Sequence, residues 1–156
     1  MRAIAPYAYM PLLLLTAAAT AAAGALYHGR AVAVIDGRTL TVLIDKRRTA
    51  VRIDGIQTPT RGERHAIGAR QSLIAVCGSE PAVIEVRGAE ADGTLVGRVS
   101  CNGVDAAVEQ LRRGMATVTP GGDAALAAPE AEARAARRGV WSRPMPARER
   151  AATPVP

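Results

Sequence analysis

Short stretches after Arg30 alternate apolar and polar residues, and this period of two predicts β-strands. Asp36-Gly37-Arg38 separates the first two stretches, and Asp-Gly between runs rich in β-branched residues favours a hairpin. A second turn, at residues 45–48, leads to a third strand, so the first three strands form an antiparallel meander. The predicted strands cover residues 31–35, 39–44, 49–56, 81–87 and 93–101.

Three further stretches have apolar residues at helical spacing. The first two stop near Gly78 and at Gly114, and glycine is common after a helix because it readily adopts a left-handed backbone. In the third, Glu130 lies four residues before Arg134, a spacing that stabilises a helix. Five strands with a helix after the third predict a small Greek-key barrel of the α+β class, mainly β. The predicted helices cover residues 66–76, 104–113 and 128–138.

Residues 51–60, Val-Arg-Ile-Asp-Gly-Ile-Gln-Thr-Pro-Thr, join the third strand to the loop that follows it. Gly55 permits a kink, and Pro59 ends the strand because proline has no amide hydrogen to donate. Arg52 alternates away from the apolar side of the strand, so its guanidinium stands beside the loop, where anions are commonly held. We therefore expect the functional site at this loop.

The first 27 residues differ from the rest, because Arg2 is their only charged residue and a leucine-rich centre is followed by an alanine-rich end. These are the parts of an export signal. We expect an apolar helix that is either a cleaved signal peptide or an anchor, with membrane attachment through residues 8–27, since about 20 apolar residues span a bilayer. The domain would then be periplasmic or extracellular, or anchored with the domain outside the cytoplasm.

Cys77 and Cys101 are the only two cysteines. An exported chain meets an oxidising compartment, where an even number of cysteines favours pairing. We predict one disulfide, with two buried free thiols as the alternative. The spacing of the two cysteines does not resemble a metal site.

The net charge of +6 and the pI of about 10.3 would suit a polyanionic partner. Lys46 is the only lysine, so a bias towards arginine that leaves a merely solvated basic surface is the alternative. Aromatic residues make up only 3% of the chain, which argues against strong binding of single-stranded nucleic acid by stacking. Residues 143–156, rich in proline, alanine and arginine, are predicted to be a disordered tail. We expect a monomer.

Residues 51–60 resemble the strand and loop of the staphylococcal-nuclease-like (thermonuclease) family, which typically read Val-Arg-Leu-x-Gly-Ile-Asp-Ala-Pro-Glu. Residues 97–116 look like the last strand and following helix of bacterial members, and residues 130–141 like the closing helix with its Gly-x-Trp end. The resemblance implies an OB-fold-type five-stranded barrel with three helices over residues 29–142. It also implies the family's activity, the cleavage of phosphodiester bonds in DNA and RNA.

The resemblance also implies a site in which aspartates hold a calcium ion, a glutamate activates water, and two arginines bind the phosphate. In this sequence Arg38 stands at the hairpin's metal-binding aspartate and Gln57 at the loop aspartate. Thr60 stands at the general base and Thr94 at the second arginine, so Arg52 is the only catalytic position retained. We therefore predict no catalytic residues, no metal and no cofactor by the family's mechanism.

An altered metal site would need at least two acidic side chains near Arg52. The candidates by motif position are Asp36, Asp54, Glu63 and Asp92. Of these, Glu63 lies close enough to Thr60 in sequence to serve as a substitute base, whereas Asp36 stands where the family has an aspartate that ties the turn.

Two functions of different classes follow. The first is a catalytically inactive exported domain whose former active site, through Arg38 and Arg52, binds phosphate, a nucleotide or nucleic acid. Its plainer version is a site that has decayed, with Arg38 in solvent. The second is a metal-dependent endonuclease of DNA or RNA with an altered site, and only this alternative calls for calcium. A scaffold in an envelope complex is a third possibility, for which the sequence names no partner.

Overall fold

The structure is a computed structural model that describes residues 24–142. The predicted leader, apart from its last four residues, and the predicted tail at residues 143–156 lie outside the described residues. Within residues 24–142, no helix is both long enough and apolar enough to cross a bilayer. Export, anchoring and the state of the tail therefore stay predictions.

Five long strands form a closed barrel. In spatial order β3 (Arg47–Ile53), β2 (Thr39–Ile44), β1 (Leu26–Val34), β5 (Pro81–Ala89) and β6 (Leu95–Cys101) are antiparallel neighbours, and β3 also pairs with β6 in parallel, which closes the sheet on itself. This is the strand order of an OB-type Greek-key barrel, and the predicted fold class is confirmed. Within the described residues the strands are β1 (Leu26–Val34), β2 (Thr39–Ile44), β3 (Arg47–Ile53), β4 (Ile56–Gln57), β5 (Pro81–Ala89), β6 (Leu95–Cys101), β7 (Val104–Asp105) and β8 (Thr117–Val118).

The three predicted helices are also present. Asp105 caps the second helix, because its carboxylate accepts a hydrogen bond of 3.1 Å from the amide of Val108. The third helix ends earlier than predicted, and a short 3-10 turn at Gly139–Trp141 follows it. The helices are α1 (Ala66–Cys77), α2 (Ala106–Arg112) and α3 (Ala127–Ala135).

Two boundaries differ from the prediction. Leu26 and Tyr27, which the sequence pattern assigned to the leader, pair with β5 and belong to the barrel. An apolar leader that runs directly into an apolar strand has no change of composition at the junction, so the pattern could not separate them. The predicted third strand is divided at Gly55, whose φ of 78° turns the chain out of β3, and β4 pairs with β8 outside the barrel.

The barrel interior is filled by aliphatic side chains such as Leu40, Val51 and Ile84, all of which are buried. Cys77 at the end of α1 and Cys101 at the end of β6 are buried at the margin of this core and form the predicted disulfide, with a Cα to Cα distance of 5.1 Å. The bond ties the first helix to the last strand of the barrel across 24 positions of the chain.

The disulfide should contribute a large share of the stability. In the chain-entropy model, closing a loop of this length stabilises the fold by roughly 3 to 4 kcal/mol. The double variant Cys77→Ala/Cys101→Ala should lower the free energy of unfolding by about that amount in urea denaturation. A reductant should destabilise the wild type and leave the double variant unchanged. A wild type indifferent to reductant under unfolding conditions would contradict a structural role for the bond.

Candidate functional site

Arg52 lies on β3 with its side chain directed away from the barrel core, because its neighbours Val51 and Ile53 are both buried inside. On β2 the residue opposite Arg52 is Thr39. The alternation that the sequence predicted for Arg52 is therefore observed. It places the guanidinium on the outer face of the barrel, next to the chain that leaves β3 for the loop.

The turn between β1 and β2 is held by Asp36. Its Oδ1 accepts hydrogen bonds of 2.8 Å from the amides of both Arg38 and Thr39. The turn also packs closely on α1, since a Cβ at Gly37 would lie 2.7 Å from the Cβ of Ala69, which only glycine avoids. Asp36 therefore has the structural role that was predicted for it.

Gln110 of α2 also supports the turn between β1 and β2. Its side chain is fully buried, and Nε2 donates to the carbonyl oxygens of Gly37 at 2.6 Å and Ala69 at 3.0 Å. One amide thus joins the hairpin, α1 and α2. The helical pattern places Gln110 on the polar side of its helix and gives no sign of this role, since nothing in a local pattern shows that a glutamine is buried.

The side chain of Arg38, which this turn positions, extends to the start of the loop that follows β3. Its Nη1 donates to the carbonyl oxygen of Ile56 at 3.3 Å, directly before Gln57. Arg38 is half-buried, and among residues 24–142 it forms no ion pair. The guanidinium of Arg38 therefore lies beside the loop, and no acidic side chain of the described residues is paired with it.

Arg52 differs from Arg38, because Nη1 of Arg52 donates to Oε1 of Glu90 in an ion pair. Glu90 begins the turn from β5 to β6, where its amide donates to the Thr94 carbonyl at 2.8 Å. Glu90 was not predicted from the sequence, because it does not stand at any of the family motif positions that were compared. A turn at Asp92-Gly93 brings Glu90 opposite Thr94, but this local pairing does not place Glu90 beside Arg52, which is 38 positions away in the chain.

Thr94 and Asp92 belong to the same turn. Thr94 is buried, and its amide donates to Oδ1 of Asp92 at 2.9 Å. The amide and hydroxyl of Thr94 hold the pKa of Asp92 below its ordinary value, and the charge of Arg52 acts in the same direction. Arg52, Glu90, Asp92 and Thr94 therefore form one cluster on the outer face of the barrel.

Gln57 and Thr60, the remaining candidate positions, are both exposed. The amide of Thr60 donates to Oε2 of Glu63 at 2.6 Å, and the amide of Glu63 donates to the Thr60 carbonyl at 2.9 Å. Glu63 thus caps its own loop, and its carboxylate already accepts a backbone hydrogen bond there.

The family model of the staphylococcal nuclease homologues matches residues 50–143, which run from β3 past the last described residue. The chain belongs to the staphylococcal nuclease homologue family. A comparison with curated proteins gave no match.

Of the four acidic candidates by motif position in this staphylococcal nuclease homologue, only Asp92 lies in the cluster around Arg52, and the other acid of that cluster, Glu90, is paired with Arg52 itself. Asp54 faces another cavity, of about 340 Å³, where its carboxylate lies 3.9 Å from Arg87. The carboxylates of Asp36 and Glu63 accept backbone hydrogen bonds within their own turns. The fourth candidate, Asp92, accepts a hydrogen bond from the Thr94 amide. Across residues 24–142 no three acidic, histidine or cysteine side chains are grouped so that they could hold a metal ion.

The donor set also does not fit the calcium ion of this nuclease family. A hard divalent cation needs several carboxylate or carbonyl oxygens. At the two positions where the motif resemblance would place metal ligands, this homologue has the guanidinium of Arg38, which repels a cation, and the amide of Gln57, which has no charge. These two side chains therefore cannot take the place of the family's metal ligands.

Because Gln110 holds the turn that carries Arg38, its loss should weaken that turn. In Gln110→Met, a change of similar shape, the Gly37 and Ala69 carbonyls lose a buried donor, and the free energy of unfolding should fall by about 1 to 3 kcal/mol. Exchange of the Arg38 and Thr39 amides should become faster. Gln71→Met, at an exposed position of α1, is the control and should have little effect. Equal stability of the two variants would show that the Gln110 bonds are not important.

Proposed function

We propose that this domain is a non-catalytic staphylococcal nuclease homologue that binds the phosphate groups of nucleotides or nucleic acid at Arg38 and Arg52. Its place of action is outside the cytoplasm. The observation that carries the proposal is the position of Arg38, an unpaired cation among the described residues, at 3.3 Å from the Ile56 carbonyl beside the loop. A site that was acidic by family pattern has become basic.

The loss of catalysis is supported by the chemistry of each substituted side chain. Thr60 has a hydroxyl that cannot accept a proton near neutral pH, and removal of a general base typically costs 10²- to 10⁴-fold in rate. Thr94 carries no charge to offset that of the transition state, a loss that typically costs 10²- to 10³-fold. Such losses do not simply add, but each acts on the same step.

Binding of an oxyanion is supported by the two arginines of the site, Arg38 and Arg52. A guanidinium offers two parallel N–H groups that match the oxygens of a phosphate, and it needs no metal to do so. Arg38, directly before β2, lies next to the end of β3, since the Arg38 carbonyl accepts a hydrogen bond of 2.8 Å from the amide of Ile53, the residue after Arg52. The ligand class is therefore a phosphate group, free or in a nucleotide or polynucleotide.

Action outside the cytoplasm is supported by two independent features. The first is the predicted leader, with a basic start, an apolar centre and small residues at its end. The second is the disulfide, since structural disulfides persist in oxidising compartments and are rare in the cytoplasm.

We expect no metal-dependent cleavage by the wild-type protein, because the metal ligands and the base are absent. The measurement is cleavage of single- and double-stranded DNA with calcium and then with a chelator. Thr60→Glu, which restores only the base, should also be inactive, because a base without a metal site is insufficient. Cleavage that the chelator abolishes would overturn the non-catalytic proposal in favour of the altered endonuclease.

Binding should depend on Arg38. Inorganic phosphate, or an oligonucleotide, at ten times its dissociation constant should stabilise the fold by about 1.4 kcal/mol, a rise of several degrees in melting temperature. Arg38→Gln should weaken binding about tenfold, since a hydrogen bond to a charged group is worth about 1.5 to 3 kcal/mol. Arg48→Gln removes an exposed arginine of β3 near the opposite end of the β2–β3 pairing and is the matched control. Equal weakening by both variants would indicate only non-specific charge attraction.

A further inference from the structure

We infer that Glu90 is an internal competitor at this site. Its carboxylate occupies the anion-binding side of Arg52, so an external phosphate must displace it to engage both arginines. The inference rests on the proposed function, because it concerns the same site and the same class of ligand. It assigns Glu90 a role that sets the affinity of the site, which no family position suggests.

The place of Glu90 is set by its hairpin. The amide of Glu90 donates to the Thr94 carbonyl at 2.8 Å, and the amide of Gly93 donates to the Glu90 carbonyl at 2.9 Å. Asp92 accepts from the Thr94 amide within the same turn. These backbone bonds hold the backbone of Glu90 beside Arg52, and the carboxylate of Glu90 pairs with the guanidinium there.

The ion pair with Glu90 leaves at least one N–H group of the Arg52 guanidinium without a hydrogen-bond partner among the described residues. Glu90 accepts from Nη1 of Arg52, while Nε of Arg52 is buried without a partner among the described residues. Thr39, the cross-strand neighbour of Arg52, is only 5% exposed, and its hydroxyl also lacks a partner there. A bidentate oxyanion would use two N–H groups of a guanidinium, so the present pair is weaker than the pair that a phosphate can form.

The pair is also exposed enough to be displaced. The side chains of Arg52 and Glu90 are 33% and 35% exposed. Water screens an ion pair at such a position, and exposed pairs contribute little to stability. A phosphate that meets Arg38 first can therefore take Arg52 as its second contact, but it must work against the negative charge that Glu90 keeps nearby. Glu90 thus lowers affinity without closing the site.

The test compares Glu90→Gln with Glu85→Gln in the full chain. Both changes remove one carboxylate from β5 or the turn after it, but Glu85 is exposed and five positions away from the Arg52 contact. Calorimetric titration with inorganic phosphate, and anisotropy titration with a 5′-phosphorylated and an unphosphorylated oligonucleotide, give the affinities and separate the sources of phosphate. Glu90→Gln should bind about fivefold more tightly, which corresponds to about 1 kcal/mol. Glu85→Gln should bind like the wild type.

A double-mutant cycle separates competition by Glu90 at Arg52 from a general effect of net charge on binding. In an Arg52→Gln background the gain from Glu90→Gln should vanish, because no guanidinium remains for Glu90 to occupy. A gain of equal size in that background, or in Glu85→Gln, would overturn the inference and leave only an effect of net charge.

The remaining outcomes separate the inference from the proposed function. If the wild type binds phosphate through Arg38 and Glu90→Gln binds no more tightly, the inference is wrong and the proposed function stands. If only Glu90→Gln binds, the inference stands and the wild type is not a phosphate-binding protein by itself. If neither protein binds phosphate or either oligonucleotide, both proposals are wrong.

Discussion

The parallel pairing of β3 with β6 is the constraint on which the rest of the molecule depends. It closes the barrel by placing Val51 to Ile53 beside Leu95 to Gly97. At Gly97, β6 also approaches β5 closely, since a Cβ there would lie 2.2 Å from the Glu85 carbonyl oxygen, so β6 needs glycine at this position. The same closure sets Arg52 next to the β5–β6 hairpin. The ion pair with Glu90 is thus a consequence of the barrel's topology.

The two arginines of the site are therefore not equivalent. Arg52 is partly neutralised by Glu90, whereas Arg38 donates only to a carbonyl dipole among the contacts of the described residues. The carboxylates of Glu90 and Asp92 lie in the same cluster as Arg52 and offset the two guanidinium charges, so the surroundings are less positive than the two arginines alone would make them. An anion is attracted first to Arg38, and the contribution of Arg52 depends on how firmly Glu90 is held.

The sequence was sufficient for the architecture and insufficient for the contacts of the site. Strands and helices were predictable because turn residues such as Asp36-Gly37 and Gly78 mark where each element ends. Arg52 was predictable because alternation along a strand is local. Glu90 and Gln110 were not, since their roles depend on partners 38 and 73 positions away in the chain, which only the closed barrel brings near. Leu26 was misassigned because apolar composition alone does not distinguish a leader from a strand.

The core of the barrel and the exposed loop of the candidate site are built from different residues. The core of Leu40, Val51 and Ile84 and the buried disulfide lie inside the barrel or at its margin, while Gln57 and Thr60 are exposed on the loop. Carboxylates gathered for a metal repel one another whenever the metal is absent, so replacing them with neutral or basic residues removes a source of instability. In this chain Arg38 donates a hydrogen bond to the Ile56 carbonyl instead. On the proposal that the site has lost its metal ligands, the barrel stays stable because its core does not depend on those ligands.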